Sequence, residues 1–306
     1  MENKNRRRIA LVLASGGARG IAHIGVIREL ERHGFEIASI AGTSMGSVVG
    51  GIYAMGGLES FADFMCNLTH DEVYKLMDFT LTSHGFLKAE RVFKKIESLI
   101  PDQNIESLRI PYAAVAADLN DRKEVIFTQG SVFKAMRASI AIPAVVTSVV
   151  ENDKILVDGG ILNPLPLNHV KRHDGDLLVA VNLYDDTSSA QRRIVDTDEE
   201  LAEFQQAAGY LSKIYEGYQT VKHSFGFRKK RISRKQKKKL DMGYISMLNI
   251  TTTMMSQRIA AMSMEIEKPD VIINIPCNDI GTFDFFKSKE LIELGEKKAK
   301  EVLASL

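Results

Sequence analysis

Residues 8–57 read RIALVLASGGARGIAHIGVIRELERHGFEIASIAGTSMGSVVGGIYAMGG and contain two apolar strands, each followed by a glycine-bearing turn and a helix. The run at 8–14 is continuously apolar, which is typical of a strand buried on both faces. Apolar residues then recur at helical spacing over 21–30, and Gly34 is a good C-terminal stop for that helix. A second strand at 36–41 leads into an apolar helix. This β-α-β-α order predicts two parallel neighbouring strands joined by a right-handed crossover.

The rest of the chain alternates strands and helices to about residue 183 and is mostly helical after it, apart from one late strand. This order predicts an α/β fold with a core at 5–190 and a mainly helical part at 191–306 that completes the same domain. We predict further strands at 111–118, 123–128, 145–150, 154–157, 176–183 and 270–275, and helices at 59–68, 71–78, 89–99, 131–139, 198–222, 241–266 and 287–304.

The composition is that of an ordinary globular protein, with 45% hydrophobic and 26% charged residues. A formal net charge of +1 gives no overall field for nucleic acid, so we expect no such partner. Two distant cysteines, Cys66 and Cys277, predict neither a disulfide framework nor a zinc site, and we expect no metal. Arginines at 6–8 before a short apolar run imitate a signal peptide, but the run enters a glycine loop. No stretch approaches the roughly 18 apolar residues of a membrane span. We therefore expect a cytoplasmic protein.

The segment Gly42-Thr43-Ser44-Met45-Gly46 matches G-x-S-x-G at the point where the second strand turns into its helix. A sharp turn needs small residues on both sides of the serine, here Gly42 and Gly46. It lifts the hydroxyl to the carboxyl edge of the sheet, at a helix N-terminus that favours developing negative charge. Ser44 is therefore a candidate nucleophile. The simpler alternative is a helix N-cap.

The segment Ser15-Gly16-Gly17-Ala18-Arg19-Gly20 follows the first strand and opens its helix, where backbone N–H groups form an anion site. If the two strands are parallel neighbours, this loop emerges beside Ser44, as acyl transfer requires. A cation at a helix N-terminus opposes the macrodipole, so Arg19 either stabilises an oxyanion or a lipid phosphate or is simply solvated. The candidate oxyanion residues are Gly16, Gly17, Ala18 and Arg19.

The same loop does not match a dinucleotide-binding fingerprint. Ser15 stands where that fingerprint has its first glycine, and the second strand ends in Ile40-Ala41-Gly42, without a carboxylate to hold a ribose. The sequence argues against NAD, and we expect no cofactor.

Asp158-Gly159-Gly160 follows the apolar strand at 154–157, which places a carboxylate at a strand end. No histidine has such a context; all seven lie in predicted helix or loop, at positions 23, 33, 70, 84, 169, 173 and 223. An aspartate with the usual pKa of about 3.9 is a weak base and needs a water-poor pocket to raise its basicity. Asp158 is the candidate base. The simpler alternative is a turn-forming Asp-Gly.

In this order the three motifs resemble those of bacterial patatin-like phospholipases. An α/β-hydrolase differs, because there several strands precede the elbow and a histidine follows the acid. Other segments similar to the family are Asp118-Leu119-Asn120, Arg137-Ala-Ser-Ile-Ala-Ile-Pro143, Phe283-Asp-Phe-Phe286 and Glu290-Leu-Ile-Glu-Leu-Gly295, so the resemblance covers nearly the whole chain.

The resemblance implies a three-layer α/β/α sandwich with a mainly parallel sheet and its catalytic core at 5–190. It implies a Ser44–Asp158 dyad without histidine, an oxyanion loop at 16–19, and calcium-independent hydrolysis of acyl esters in lipids through an acyl-serine intermediate. One departure is Ser15, which stands where the family usually has the first glycine of the loop. An acyltransferase with the same dyad and a catalytically silent lipid-binding or regulatory protein are the alternatives.

Two features bear on substrate access. The stretch 228–239 carries nine Lys or Arg in twelve residues, and it either holds the protein at anionic lipid headgroups or is a solvated loop. The late helix is rich in methionine, which suits a surface for varied acyl chains, although core packing is the simpler expectation. These methionines are Met242, Met247, Met254, Met255, Met262 and Met264.

Overall fold

A computed structural model describes residues 7–76, 78–82, 85–143, 145–184, 244–276 and 280–306. The chain forms two compact units, one of residues 1–188 with 254–306 and one of residues 189–253. In the second unit the described residues are the first turns of a helix that begins at Tyr244. The predicted division near residue 190, with 191–306 completing the same domain, stays a prediction.

The strands and helices follow the predicted alternation. The strands are β1 Arg7–Leu13, β2 Phe35–Thr43, β3 Phe79–Thr82, β4 Gly85–Leu87, β5 Tyr112–Asp118, β6 Lys123–Phe127, β7 Val149–Glu151, β8 Lys154–Asp158, β9 Leu177–Asn182 and β10 Val271–Asn274. The helices are α1 Ala22–Arg32, α2 Met45–Ala54, α3 Leu58–Cys66, α4 His70–Leu76, α5 Glu90–Leu99, α6 Val132–Ser139, α7 Tyr244–Glu267 and α8 Ser288–Leu303.

The main sheet has eight strands in the order β10-β9-β1-β2-β5-β8-β7, with β6 also paired to β5. The pairs from β10 to β5 are all parallel, whereas β5 pairs antiparallel with β6 and β8, and β8 with β7. Helices lie on both sides of this sheet. The predicted α/β fold with a mainly parallel central sheet is therefore confirmed.

The central strands are apolar because both of their faces are covered. Residues 9–13 of β1 have no exposed surface, and every residue of β5 is buried. Continuous burial explains why these strands have no polar alternation in sequence. The carboxyl ends of β1, β2 and β9 lie next to one another at one edge, and ligands bind at this edge in open α/β sheets.

Two sequence-based expectations differ from the structure. The predicted strand at 145–150 is wrong over 145–148, since the strand begins at Val149. The backbone at 145–147 bonds Leu87 instead, and Val146 turns its apolar side chain into a pocket. The hairpin of β3 and β4 was not predicted, because strands of four and three residues carry little pattern. The predicted helix at 198–222 lies outside the described residues.

Candidate active site

The predicted elbow is a sharp turn between β2 and α2, with Ser44 at φ 54° and ψ −125°. A positive φ at a residue other than glycine is strained and persists only where the surroundings hold it. A Cβ at position 42 would lie 2.4 Å from the carbonyl of Gly46, and a Cβ at position 46 would lie 2.3 Å from the carbonyl oxygen of Leu13. Both elbow positions therefore require glycine.

The sheet brings Asp158 to the elbow because β2 and β8 run toward each other along one edge of β5. The other edge of β5 is taken by β6 over Ala114–Asp118. On the free edge, β2 ends with Thr43 beside Val115, and β8 ends with Asp158 beside Ala116. The carboxyl ends of the two strands therefore meet at adjacent residues of β5. Gly159 continues the turn against this strand, and a Cβ there would lie 2.3 Å from the carbonyl oxygen of Val115.

The two predicted catalytic side chains are in direct contact. The hydroxyl of Ser44 donates to Oδ2 of Asp158 at 2.5 Å, and the N–H of Gly160 donates to Oδ1 at 2.7 Å. Burial raises the pKa of Asp158 to about 6, although both hydrogen bonds act in the opposite direction. Ser44 and Asp158 are 4% and 6% exposed, so the pair is shielded from bulk water.

The buried histidine near this site is His23, and it supports the glycine loop. The Nε2 atom of His23 lies 2.8 Å from the carbonyl oxygen of Ala14, directly before the glycine loop. Burial lowers the pKa of His23 to about 4, so the ring is neutral at physiological pH. Within the part of the chain that the structure describes, no histidine bonds Ser44 or Asp158.

The predicted oxyanion loop lies beside Ser44, but its members have different roles. Gly17 has a φ of 57° and lines the same pocket as Ser44. Ala18 is a correction to the prediction, because its N–H donates to the carbonyl of Thr282 at 2.8 Å and is not free to bind an oxyanion. Arg19 donates from Nε to the carbonyl of Gly16 at 3.0 Å, which fixes the loop.

The free donors at this site are backbone amides. The N–H groups of Gly16, Gly17 and Met45 donate to no acceptor among the described residues. Met45 is the first residue of α2, directly after the predicted nucleophile, and serine hydrolases of another fold carry an oxyanion donor at this position. Sequence reasoning missed this amide, although its position next to Ser44 was a usable signal.

Ser15, the departure from the family pattern, is accommodated by contacts on both sides. Its N–H donates to the carbonyl of Pro164 at 2.8 Å, and its hydroxyl is hydrogen-bonded to the hydroxyl of Tyr184, just after β9. The turn is therefore formed with serine at this position. Tyr184 had no motif in the sequence to identify it.

An apolar cavity of about 140 Å³ opens beside Ser44. Its walls come from α3, α4 and α5, from the loop before β7, and from the segment between β10 and α8. The lining residues are Gly17, Ser44, Met45, Val48, Phe61, Met65, Leu68, Val73, Leu76, Leu87, Ala89, Val92, Phe93, Ile96, Ile140, Ile142, Val146, Thr282, Phe283 and Phe285. Apart from the serine and one threonine, these side chains offer hydrocarbon and no charge.

The structure describes most of the methionine-rich helix, but it does not describe the basic stretch. Core packing is the wrong expectation for four of the methionines, since Met247, Met254, Met255 and Met262 are exposed on α7. Met264 does pack against the core. Met242 and the basic stretch at 228–239 lie outside the described residues.

Two negative findings apply to the described residues alone. None of the helices there is long and apolar enough to cross a membrane. No group of three or more His, Cys, Asp or Glu side chains that could hold a metal is found in those ranges.

Comparison with known proteins agrees with the resemblance. An uncharacterized NTE family protein of Mycobacterium tuberculosis (strain ATCC 25618 / H37Rv) is 46% identical over 176 residues, which are 58% of this chain and 49% of that protein. The Lysophospholipase NTE1 of Mycosarcoma maydis is 34% identical over 193 residues, 59% of this chain and 10% of that protein. The matched segment thus spans about half the length of this mycobacterial relative and a tenth of the NTE1 relative.

Among solved structures, VipD from Legionella pneumophila is similar with a TM-score of 0.44 and 11% identity, over 98% of this chain and 67% of that one. The family model described as "Patatin-like phospholipase" matches residues 11–171, which contain the glycine loop, the elbow and Asp158. This match covers more than half of the chain, and the chain therefore belongs to the patatin-like phospholipase family.

Proposed function

We propose that this protein is a lipid acyl hydrolase that works through a covalent acyl intermediate on Ser44. The observation that carries the proposal is the 2.5 Å hydrogen bond from the Ser44 hydroxyl to Asp158, inside an apolar site. A carboxylate there accepts the serine proton as the hydroxyl attacks an ester carbonyl. Family membership supports a dyad of Ser44 and Asp158.

In the proposed reaction, Asp158 carries the transferred proton and backbone amides hold the negative charge that develops on the substrate. Ser44 Oγ bonds the carbonyl carbon, its proton passes to Asp158, and the amides of Gly16, Gly17 and Met45 hold the oxyanion. The carbon–oxygen bond to the alcohol then breaks, and Asp158 returns the proton to the alcohol. Water attacks the acyl-enzyme with Asp158 as base, and the acid leaves as Ser44 recovers its proton. Because no step uses a metal, we expect hydrolysis independent of calcium.

The raised pKa of Asp158 supports its role as the base. A carboxyl group with a pKa of about 6 is mostly ionised at neutral pH and is more basic than an ordinary aspartate. Its basicity comes from burial and not from a neighbouring negative charge, since desolvation is the leading cause of the shift. A histidine is then not needed to take the proton.

The apolar cavity supports a lipid substrate. It adjoins Ser44, and a chain of methylene groups can fill it without losing hydrogen bonds. The names of the family and of the Lysophospholipase NTE1 relative point to glycerophospholipid or lysophospholipid esters. We infer that the acyl chain enters this cavity and that the headgroup stays outside.

A fluorophosphonate probe tests the mechanism. We expect the wild-type protein to be labelled at Ser44, Ser44→Ala to be unlabelled, and Asp158→Asn to react at least 100-fold more slowly. Liberation of fatty acid from a lysophospholipid, measured with and without EDTA, tests substrate class and metal independence together. Full esterase activity in folded Asp158→Asn, or labelling of another residue, would show that the dyad is wrong.

We further propose that the protein is cytoplasmic and meets anionic lipid through the basic stretch 228–239. Each Lys or Arg near a negatively charged membrane surface contributes about 1 kcal/mol, and the stretch has nine in twelve residues. Replacing its lysines with glutamine should weaken sedimentation with phosphatidylserine vesicles but not with phosphatidylcholine vesicles. Unchanged sedimentation with both would remove this part of the proposal.

A further inference from the structure

Ser139 is a fully buried serine at the end of α6 whose hydroxyl joins the elbow at Ser44 to strand β5. It accepts the backbone N–H of Ser44 at 2.8 Å and donates to the carbonyl oxygen of Val115 at 2.6 Å. The Ser139 hydroxyl therefore accepts one hydrogen bond and donates another, and both of its partners are backbone groups. Ser139 takes no part in the proposed proton transfers between Ser44 and Asp158.

The bridge lies where the ladder between β2 and β5 ends. The last pair of that ladder is Thr43 with Val115, after which the chain leaves the sheet for the elbow. The turn carries the amide of Ser44 away from β5, and the Ser139 hydroxyl joins this amide to the strand. Without a hydroxyl there, a buried N–H and a buried carbonyl group would each lose a partner.

The same short segment also holds the base. Two residues after Ser139, the carbonyl of Ala141 accepts the backbone N–H of Asp158 at 2.8 Å. The segment 139–141 therefore bonds the backbone of the nucleophile and the backbone of the base. These bonds define the distance over which the Ser44 hydroxyl must reach the carboxylate.

We propose that Ser139 is a positioning residue that holds the strained nucleophile in reach of Asp158. This inference rests on the proposed function, because it assigns to the bridge the alignment of the dyad. A positive φ at Ser44 persists only where contacts over-determine it, and the bond to its amide is one such contact. A displaced Ser44 keeps its apolar cavity for substrate but loses the approach to its base.

Two variants of Ser139 and one matched control test the proposal. Ser139→Ala removes the bridge, whereas Ser139→Cys keeps the shape of the side chain with a somewhat larger thiol that is a weak donor and a weak acceptor. Ser47 is the control, because it is as buried as Ser139. Its hydroxyl donates to the carbonyl of Ser44, and this carbonyl also accepts the backbone amides of Ser47 and Val48. Ser47→Ala should therefore leave the position of the Ser44 amide unchanged.

We expect both Ser139 variants to lower kcat about 10- to 100-fold with KM within about twofold of wild type, since small misplacements of a reacting group have effects of this size. Ser47→Ala should stay within about threefold in kcat. The bond from Ser44 lowers the pKa of Asp158, so its loss should also move the acid limb of kcat/KM to higher pH in the Ser139 variants. A purely structural role would not move that limb.

Rates are divided by the number of sites that a fluorophosphonate labels at completion, so that unfolded protein is not counted. If Ser139→Ala does not fold, the same changes in kcat, KM and the acid limb are measured on Ser139→Cys. Wild-type kcat and an unmoved acid limb in a folded Ser139 variant would overturn the proposal, as would an equal loss in Ser47→Ala. Failure of the proposed function is distinguishable, because the wild-type protein would then not be labelled at Ser44.

Discussion

In the proposed mechanism Asp158 has to be ionised before it can take a proton from Ser44, so the reaction should depend on pH. Burial raises its pKa to about 6, so the fraction of competent enzyme should fall as the pH drops through that value. We expect kcat/KM for a p-nitrophenyl ester, measured from pH 4.5 to 8.5, to rise along a one-proton curve with a midpoint near pH 6. A midpoint near pH 4, the usual range of an aspartate, would contradict the burial argument.

The raised pKa of Asp158 should also make stability depend on pH, in the direction opposite to activity. Activity should rise with pH, whereas stability should fall. Between the usual pKa and about 6 the folded protein holds the Asp158 proton more tightly than the unfolded chain does, so the free energy of unfolding decreases as pH rises through this window. The shift corresponds to about 3 kcal/mol at most. Asp158→Asn lacks this effect, and we expect its stability gain over wild type to be larger at pH 8 than at pH 4.

Urea unfolding of the two proteins at both pH values measures this difference. An equal gain at pH 4 and at pH 8 would mean that Asp158 is not held in a desolvated state. His23 is common to both proteins, so its own titration cancels in the comparison.

At this scale the sequence predicted the two side chains that meet, Ser44 and Asp158, but not the groups that hold them in place. Ser44 and Asp158 could be found because each follows an apolar strand and is flanked by glycine. Ser139 bonds a residue 95 positions away, and the amide of Ala18 is used by Thr282 near the other end of the chain. Such contacts depend on how distant segments meet, and local patterns do not contain that information.

The elements between α2 and β5 form much of the wall of the apolar cavity. Helices α3, α4 and α5 supply Phe61, Met65 and Phe93 among other side chains, and the segment before α8 adds Phe283 from the far end of the chain. A cavity of comparable size, about 150 Å³, accepts benzene in another protein, so roughly six acyl carbons fit beside Ser44. The length of the acyl chain should therefore affect the rate.

We expect kcat/KM to be highest for esters of about four to eight acyl carbons, since longer chains extend beyond the cavity. Phe283→Ala enlarges the cavity and should shift the optimum toward longer chains. Phe286→Ala is the control, because this phenylalanine is partly exposed and does not line the cavity. A chain-length profile with p-nitrophenyl esters makes the measurement, and identical profiles for all three proteins would contradict this assignment of the cavity.

Element boundaries were predictable where hydrophobic periodicity was strong. The strands at the centre of the sheet and the helices around them begin and end close to the predicted residues, because burial on both faces dictates their composition. The loop at 145–148 misled the prediction, since Val146, which faces the cavity, looks in sequence like a valine in a strand. The pattern reports burial and not the partner against which a residue is buried.

Across the whole molecule, α8 at the end of the chain packs against α1, which follows the glycine loop. The two helices approach so closely that a Cβ at Gly25 would lie 2.0 Å from the carbonyl oxygen of Ile292. A Cβ at Gly295 would lie equally close to the carbonyl oxygen of Ala22. Backbone atoms cannot move aside as a flexible side chain can, so a methyl group at either position must push the helices apart.

We expect Gly25→Ala and Gly295→Ala each to lower the free energy of unfolding by about 1–3 kcal/mol, the usual effect of overpacking. Lys297→Ala, an exposed change on α8, is the control and should stay within about 0.5 kcal/mol of wild type. Because both glycines hold the same two helices together, the double variant should lose less than the sum of the single losses. Urea unfolding of the five proteins, wild type included, measures these free energies. Strict additivity, or single variants as stable as wild type, would mean that the helices are not held at this distance.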